Sequence, residues 1–60
     1  MAVDMVTLGQ RLKAARENRE LTQDHVATEL KISRPQVSKI EAGNQAIDLG
    51  LLDALAELYG

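Results

Sequence analysis

Between Leu21 and Gly43 the apolar residues Val26, Ala27, Leu30, Ile32, Val37 and Ile40 recur in two separate runs. Within each run the spacing is i, i+3 or i, i+4, which marks one buried stripe on a short helix. Thr22 is placed as an N-cap for the first helix. Ser33 is placed as the cap of the second, and Gln36 three residues later completes a capping box. Pro35 falls in the first turn after Ser33, where the missing N–H has no intrahelical partner anyway. Gly43 follows Ala42, where a left-handed residue stops a helix. Two short capped helices joined by a tight turn are therefore predicted at about 22–30 and 33–42.

The rest of the chain must supply what these two helices bury against. Sixty residues form at most one domain, here read as 1–60 and near the lower size limit for independent folding. Without cysteine, neither a disulfide nor a thiolate zinc site can staple it, and His25 alone makes no metal site. Hydrophobic residues are 45% of the chain while Tyr59 is its sole aromatic, so stability must come from aliphatic packing. That favours an all-α bundle. No apolar run approaches the ~20 residues of a membrane span, and no signal peptide pattern opens the chain, so a cytoplasmic protein without membrane partners is expected.

Met1 to Val6 lack a strong period and read as a partly frayed lead-in. Thr7-Leu8-Gly9-Gln10 matches a second capping box, which starts a helix at about 7–18 lined by Leu8, Leu12 and Ala15. Gly9 then sits in the first turn, where glycine costs least. Leu21 is expected to pack back under the core, and Ile47 to tuck inward from the 44–47 loop. Asp48 caps a last helix, about 48–59, with Leu49, Leu52, Leu55, Ala56 and Tyr59 as buried candidates; Leu51 and Leu58 broaden its apolar surface.

The net charge of −2 is unevenly spread. Residues 1–40 carry all seven Lys and Arg against five acids, a balance of +2; residues 41–60 carry four acids and no base, −4. Phosphates are bound by a face, so the local sign counts more than the total. The cations lie in the half that contains the two capped helices, and that pair is a candidate for the helix-turn-helix unit, which sets its second helix in the DNA major groove.

The residues themselves resemble a family. L-T-Q-D-H-V-A followed by I-S-R-P-Q-V-S-K-I-E-A-G is similar to the phage repressor and Cro (Xre) helix-turn-helix domains, from about Leu8 to Gly60. The resemblance implies a compact four-helix form of the five-helix lambda-repressor-like fold, with a further C-terminal domain or protein partner in a longer regulator. It also implies a homodimer that sets two recognition helices in successive major grooves of a near-palindromic double-stranded operator, with no cofactor. The function it implies is sequence-specific transcriptional regulation, as a repressor. The alternatives are an antitoxin, a multidomain regulator fragment, or a protein-interaction module that keeps the fold without reading bases.

Residue by residue, Arg34, Pro35, Gln36 and Lys39 match base-facing positions. Arg34 or Lys39 suits guanine O6/N7, Gln36 suits adenine, and Pro35 offers only apolar contact to a thymine methyl. Gln23, at a helix N-terminus, matches the phosphate-binding position, with Ser33, Ser38 and Asn44 as further phosphate neighbours. Arg16 and Glu41 match an ion pair that orients the recognition helix in some relatives. Two departures stand out. Lys31 occupies a turn position where glycine is common, at a cost of roughly 1 kcal/mol, and residues 44–46 carry no cation. Arg11 and Lys13 read as solvated. Asp24 and His25 suggest no acid–base chemistry, because helix neighbours point about 100° apart and no nucleophile accompanies them, so the chain reads as a binding protein and not an enzyme.

Overall fold

The computed structural model describes residues 4–60, which form α1 (Met5–Asn18), α2 (Gln23–Leu30), α3 (Arg34–Ala42) and α4 (Leu49–Tyr59), with no strand among the described residues. The all-α expectation holds, and three of the four starts fall where local chemistry put them. Thr22 accepts from the His25 N–H at 3.0 Å, and Asp48 accepts from the Leu51 N–H at 2.7 Å. At α3 both arms of the capping box are made: Ser33 Oγ accepts from the Gln36 N–H at 3.3 Å, and Gln36 Oε1 accepts from the Ser33 N–H at 2.8 Å.

The first helix corrects the reading. It starts at Met5 and not at Thr7, because Asp4 caps it by accepting from the Val6 N–H at 2.9 Å. Thr7 supports that cap instead of forming its own, donating its hydroxyl to Asp4 Oδ2 at 3.1 Å. A carboxylate at the N-cap satisfies an orphan amide and also meets the positive end of the helix dipole. Met5 and Val6 therefore belong to α1, and Met1–Val3 lie outside the described residues.

Three helices end the same way. After α1, the Glu20 N–H reaches the Glu17 carbonyl at 2.9 Å and the Leu21 N–H reaches that of Arg16 at 3.1 Å. After α2, Lys31 bonds to Thr28 at 3.3 Å and Ile32 to Ala27 at 3.0 Å; after α3, Gly43 bonds to Ile40 at 3.1 Å and Asn44 to Lys39 at 2.8 Å. Each is a Schellman closure, with the middle residue left-handed: φ is 58° at Glu20, 58° at Lys31 and 79° at Gly43. Only one of the three is glycine. A left-handed side-chain residue costs roughly 1 kcal/mol or more, partly offset by the greater unfolded-state freedom of glycine. Lys31→Gly and Glu20→Gly should therefore each stabilise by about 0.5–1 kcal/mol, raising the melting temperature by a few degrees. Thermal denaturation of both variants checks this, and an unchanged or lower transition for both would sink it.

In the core, Val26 is fully buried, joined by Leu12, Ala27, Val37, Ile40, Leu55 and Tyr59. Leu8, Leu21, Leu30, Ile32 and Ile47 pack around them. α3 lies against both α1 and α2, and α4 closes on α1 and α2 from the other side. The core thus holds α3 from behind and leaves its outer face to solvent.

Two expected core residues of α4 are not buried: Ala56 is exposed, and Leu49 is 83% exposed. Helical turn explains both. At 3.6 residues per turn, Leu49 and Ala56 lie about 100–120° around the axis from Leu55, whereas Leu51, Leu52, Leu58 and Tyr59 stay within about 60° of it. Leu51 and Leu58 accordingly pack against the core.

Candidate nucleic-acid interface

The outer face of α3 is set by its first turn. Pro35 sits at the helix start behind the Ser33 cap, so the chain enters the helix at a fixed angle and presents Arg34, Pro35, Ser38 and Lys39 to solvent. Gln23 at the start of α2 meets Arg34, Pro35 and Ser38 around an open depression of about 290 Å³. The turn brings together residues that lie up to fifteen positions apart. Two helix N-termini, a guanidinium, a hydroxyl and an amide converge on one small concavity.

Behind this face lies a buried polar cluster. Arg16 from α1 grips Glu41 from α3 with a bidentate fork, Nε to Oε2 at 2.7 Å and Nη2 to Oε1 at 3.2 Å. The Arg16 and Glu41 side chains are only 11% and 5% exposed. The remaining donor of Arg16, Nη1, bonds the Leu21 carbonyl at 2.7 Å, which ties the loop between α1 and α2 to the same group. Glu41 Oε1 also accepts from Gln23 Nε2 at 2.9 Å. One ion pair therefore connects α1, α2, α3 and an inter-helix loop, and no buried side-chain polar atom among the described residues lacks a partner.

The electrostatics agree with this geometry. The Glu41 hydrogen bond raises the Arg16 guanidinium above its ordinary value, with burial opposing and the Glu41 charge reinforcing. Tyr59 packs beside the pair. Burial pushes its hydroxyl above the usual phenol value, the Glu41 charge adds to this, and Arg16 opposes it. Both groups keep their neutral-pH forms: a cation paired with its carboxylate, and an uncharged phenol.

Of the expected contact residues, Arg34, Pro35, Ser38 and Gln23 line the depression and Lys39 is exposed one turn after Pro35. Ser33 and Asn44 are exposed at the two ends of α3, and Ser33 is occupied as its cap. Two more of these side chains are already engaged. Gln36 is half-buried and holds the capping box through Oε1. Gln23 spends one N–H on Glu41, which leaves its second N–H and its carbonyl oxygen for another partner. Arg11 and Lys13 are exposed on α1. His25 lies 3.6 Å from Glu29, one turn along α2.

Three features escaped the sequence reading. Gly9 lies under α3: a Cβ there would stand 2.5 Å from the Ile40 carbonyl oxygen and 2.6 Å from that of Glu41. With α1 starting at Met5, Gly9 lies in the helix interior, where glycine costs about 1 kcal/mol relative to alanine and so points to a packing reason. Glu20 takes a left-handed conformation with no glycine to announce it. Finally, Asp24 of α2 stands 3.7 Å from Arg34 Nε, a pairing between helices that spacing does not reveal.

Comparison with known proteins decides the family. A model of the helix-turn-helix domain matches residues 7–60. The chain belongs to the helix-turn-helix domain family. It is 38% identical over 55 residues to the immunity repressor protein of Bacillus phage phi105, a match that covers 92% of this chain. This similarity is in line with the phage repressor resemblance carried by Leu21–Gly43. The chain spans 38% of that relative's length. No solved structure gives a significant match. Among the described residues no helix is long and apolar enough to cross a membrane, and no group of His, Cys, Asp or Glu is arranged to hold a metal ion.

Proposed function

We propose that residues 1–60 are the DNA-binding domain of a transcriptional repressor, which sets α3 in the major groove. One observation carries this: α3 is held from behind by the Arg16–Glu41 pair while Arg34, Pro35, Ser38 and Lys39 face outward beside the N-terminus of α2. A rigid helix with cations on its free face is what base reading needs. The matched immunity repressor of Bacillus phage phi105 supports the repressor role.

Arg34 and Lys39 are the base readers in this proposal, directed at guanine O6 and N7. Pro35 contributes apolar contact. Gln36 reads adenine through its free amide N–H and the second lone pair of an oxygen already used in the cap. The phosphate set is Gln23, Ser33, Ser38 and Asn44, with Gln23 using the N–H that Glu41 does not engage. Two copies on a near-palindromic operator place their recognition helices about 34 Å apart. The domain acts in the cytoplasm by binding alone, without catalysis or cofactor, and a C-terminal domain or partner protein completes the dimer.

The test is operator binding. With an operator selected from random duplexes, Arg34→Ala combined with Lys39→Ala should weaken binding by about 100-fold or more, at roughly 1–3 kcal/mol per lost base contact. Circular dichroism and melting should be unchanged, because both side chains are exposed. A double variant that binds the same operator with undiminished affinity and specificity would overturn the assignment of α3.

A further inference from the structure

Asp24 and Arg34 form an ion pair that the fold does not need. The Asp24 carboxylate lies 3.7 Å from Arg34 Nε, and the two side chains are 80% and 65% exposed. At that distance and exposure the pair adds little to stability. Among the described residues, Arg34 is nonetheless the one cation that lines the depression shared with Gln23, Pro35 and Ser38. An acid has been set against the guanidinium best placed to meet DNA.

We infer that Asp24 is a specificity-determining residue, which biases Arg34 toward base edges and away from phosphates. This rests on the DNA-binding reading above. Two physical effects work together. First, the Asp24 carboxylate beside Nε, at 3.7 Å an ion pair without a hydrogen bond, favours guanidinium orientations that keep that edge toward α2 and the terminal Nη fork free for a planar, two-acceptor partner. Second, a phosphate that approaches Arg34 must bring its negative charge beside Asp24. The O6/N7 edge of guanine carries no net charge and avoids that repulsion.

Asp24 has the same effect on its own helix. It lies in the first turn of α2, next to Gln23, and its charge offsets the positive dipole end that would otherwise attract any anion. Without Asp24, Arg34 and the α2 N-terminus form a general phosphate site, which raises affinity for every sequence. With it, affinity is lower and discrimination higher. A chain with a net charge of −2 and no cation in the 44–46 loop fits a protein that limits sequence-independent attraction.

The experiment measures binding of the wild type, Asp24→Asn, Asp24→Glu, Arg34→Ala and the Asp24→Asn/Arg34→Ala double variant. Each is titrated with the selected operator and with a scrambled duplex of equal length, across a salt series. Asp24→Asn should bind the scrambled duplex about tenfold more tightly, with a salt slope steeper by about one phosphate, while operator affinity stays within about threefold. The ratio of operator to scrambled binding falls accordingly. Asp24→Glu should restore most of that ratio, and in the Arg34→Ala background Asp24→Asn should change it clearly less, by the part that acts through the α2 N-terminus alone. Equal ratios and slopes for Asp24→Asn and wild type overturn the inference while leaving DNA binding intact. A full effect of Asp24→Asn in the absence of Arg34 also overturns it, as removal of one negative charge and nothing more. If the wild type binds no duplex at low salt, the DNA-binding reading fails and this inference fails with it.

Discussion

Gly9→Ala should lower the melting temperature by roughly 5–25 °C, although the same change is favourable in most helices. Alanine in a helix interior is better than glycine by roughly 0.5–1 kcal/mol, so propensity alone predicts a gain. Packing reverses the sign. The added methyl would stand 2.5 Å and 2.6 Å from the carbonyl oxygens of Ile40 and Glu41, and 2.9 Å from the Glu41 carbonyl carbon. These are backbone atoms, so no rotamer change relieves them. α1 and α3 must separate, which loosens the contacts along their interface and stretches the Arg16–Glu41 fork. Overpacking of this kind costs about 1–3 kcal/mol and sometimes more. A domain of this size has only about 3–5 kcal/mol from its core. Gly50→Ala is the matched control. Its Cβ would meet only Asp48 Oδ1, at an ordinary 3.4 Å, so that variant should melt at or slightly above the wild type. If Gly9→Ala also melts at or above the wild type, the close approach of α1 and α3 is not real.

The contrast between these two glycines shows what is legible in the sequence. Thr22, Ser33, Gln36, Asp48 and Gly43 act on backbone groups within three or four residues, so residue type and spacing are enough to place them. Lys31 was flagged as a left-handed side-chain residue only because the resemblance supplied a glycine for comparison. Glu20 makes the same turn unannounced. Asp4 displaced Thr7 as the first cap because two candidates stood three residues apart and the upstream one supports a longer helix. Leu49 and Ala56 are apolar by type but lie off the buried stripe, which only their angle around the helix axis reveals.

The candidate site divides along the same line. Its members share a face once α2 and α3 are recognised, so Gln23, Arg34, Pro35 and Ser38 could be named in advance. Their partners could not. Whether Gln23 turns toward Glu41, or Arg34 toward Asp24, depends on how two helices cross. The α2–α3 crossing is set by Ala27, Val37 and Ile40 in the core, and the approach of α1 to α3 by the missing side chain of Gly9.

Removing either partner of the buried ion pair should be at least as damaging as Gly9→Ala, and removing both should be less so. Glu41→Ala leaves the Arg16 guanidinium largely enclosed with one carbonyl, that of Leu21, as its remaining partner, and it frees the Gln23 amide. Arg16→Ala leaves a buried carboxylate with one Gln23 N–H and orphans the Leu21 carbonyl. An uncompensated buried charge costs about 3–5 kcal/mol, most of what a domain this small possesses. Arg16→Met with Glu41→Leu keeps apolar volume and leaves no charge behind, so it should melt above both single variants; buried pairs replaced this way are often neutral in stability. Operator affinity separates the two roles of the pair. If it orients as well as supports, the stable double variant should bind the operator more weakly than the wild type, because Gln23 has lost the acceptor that positions it and α3 the clamp that fixes its angle. If the losses of Arg16→Ala and Glu41→Ala simply add when those two substitutions are combined, Arg16 and Glu41 act independently, and the clamp behind α3 would have to be abandoned.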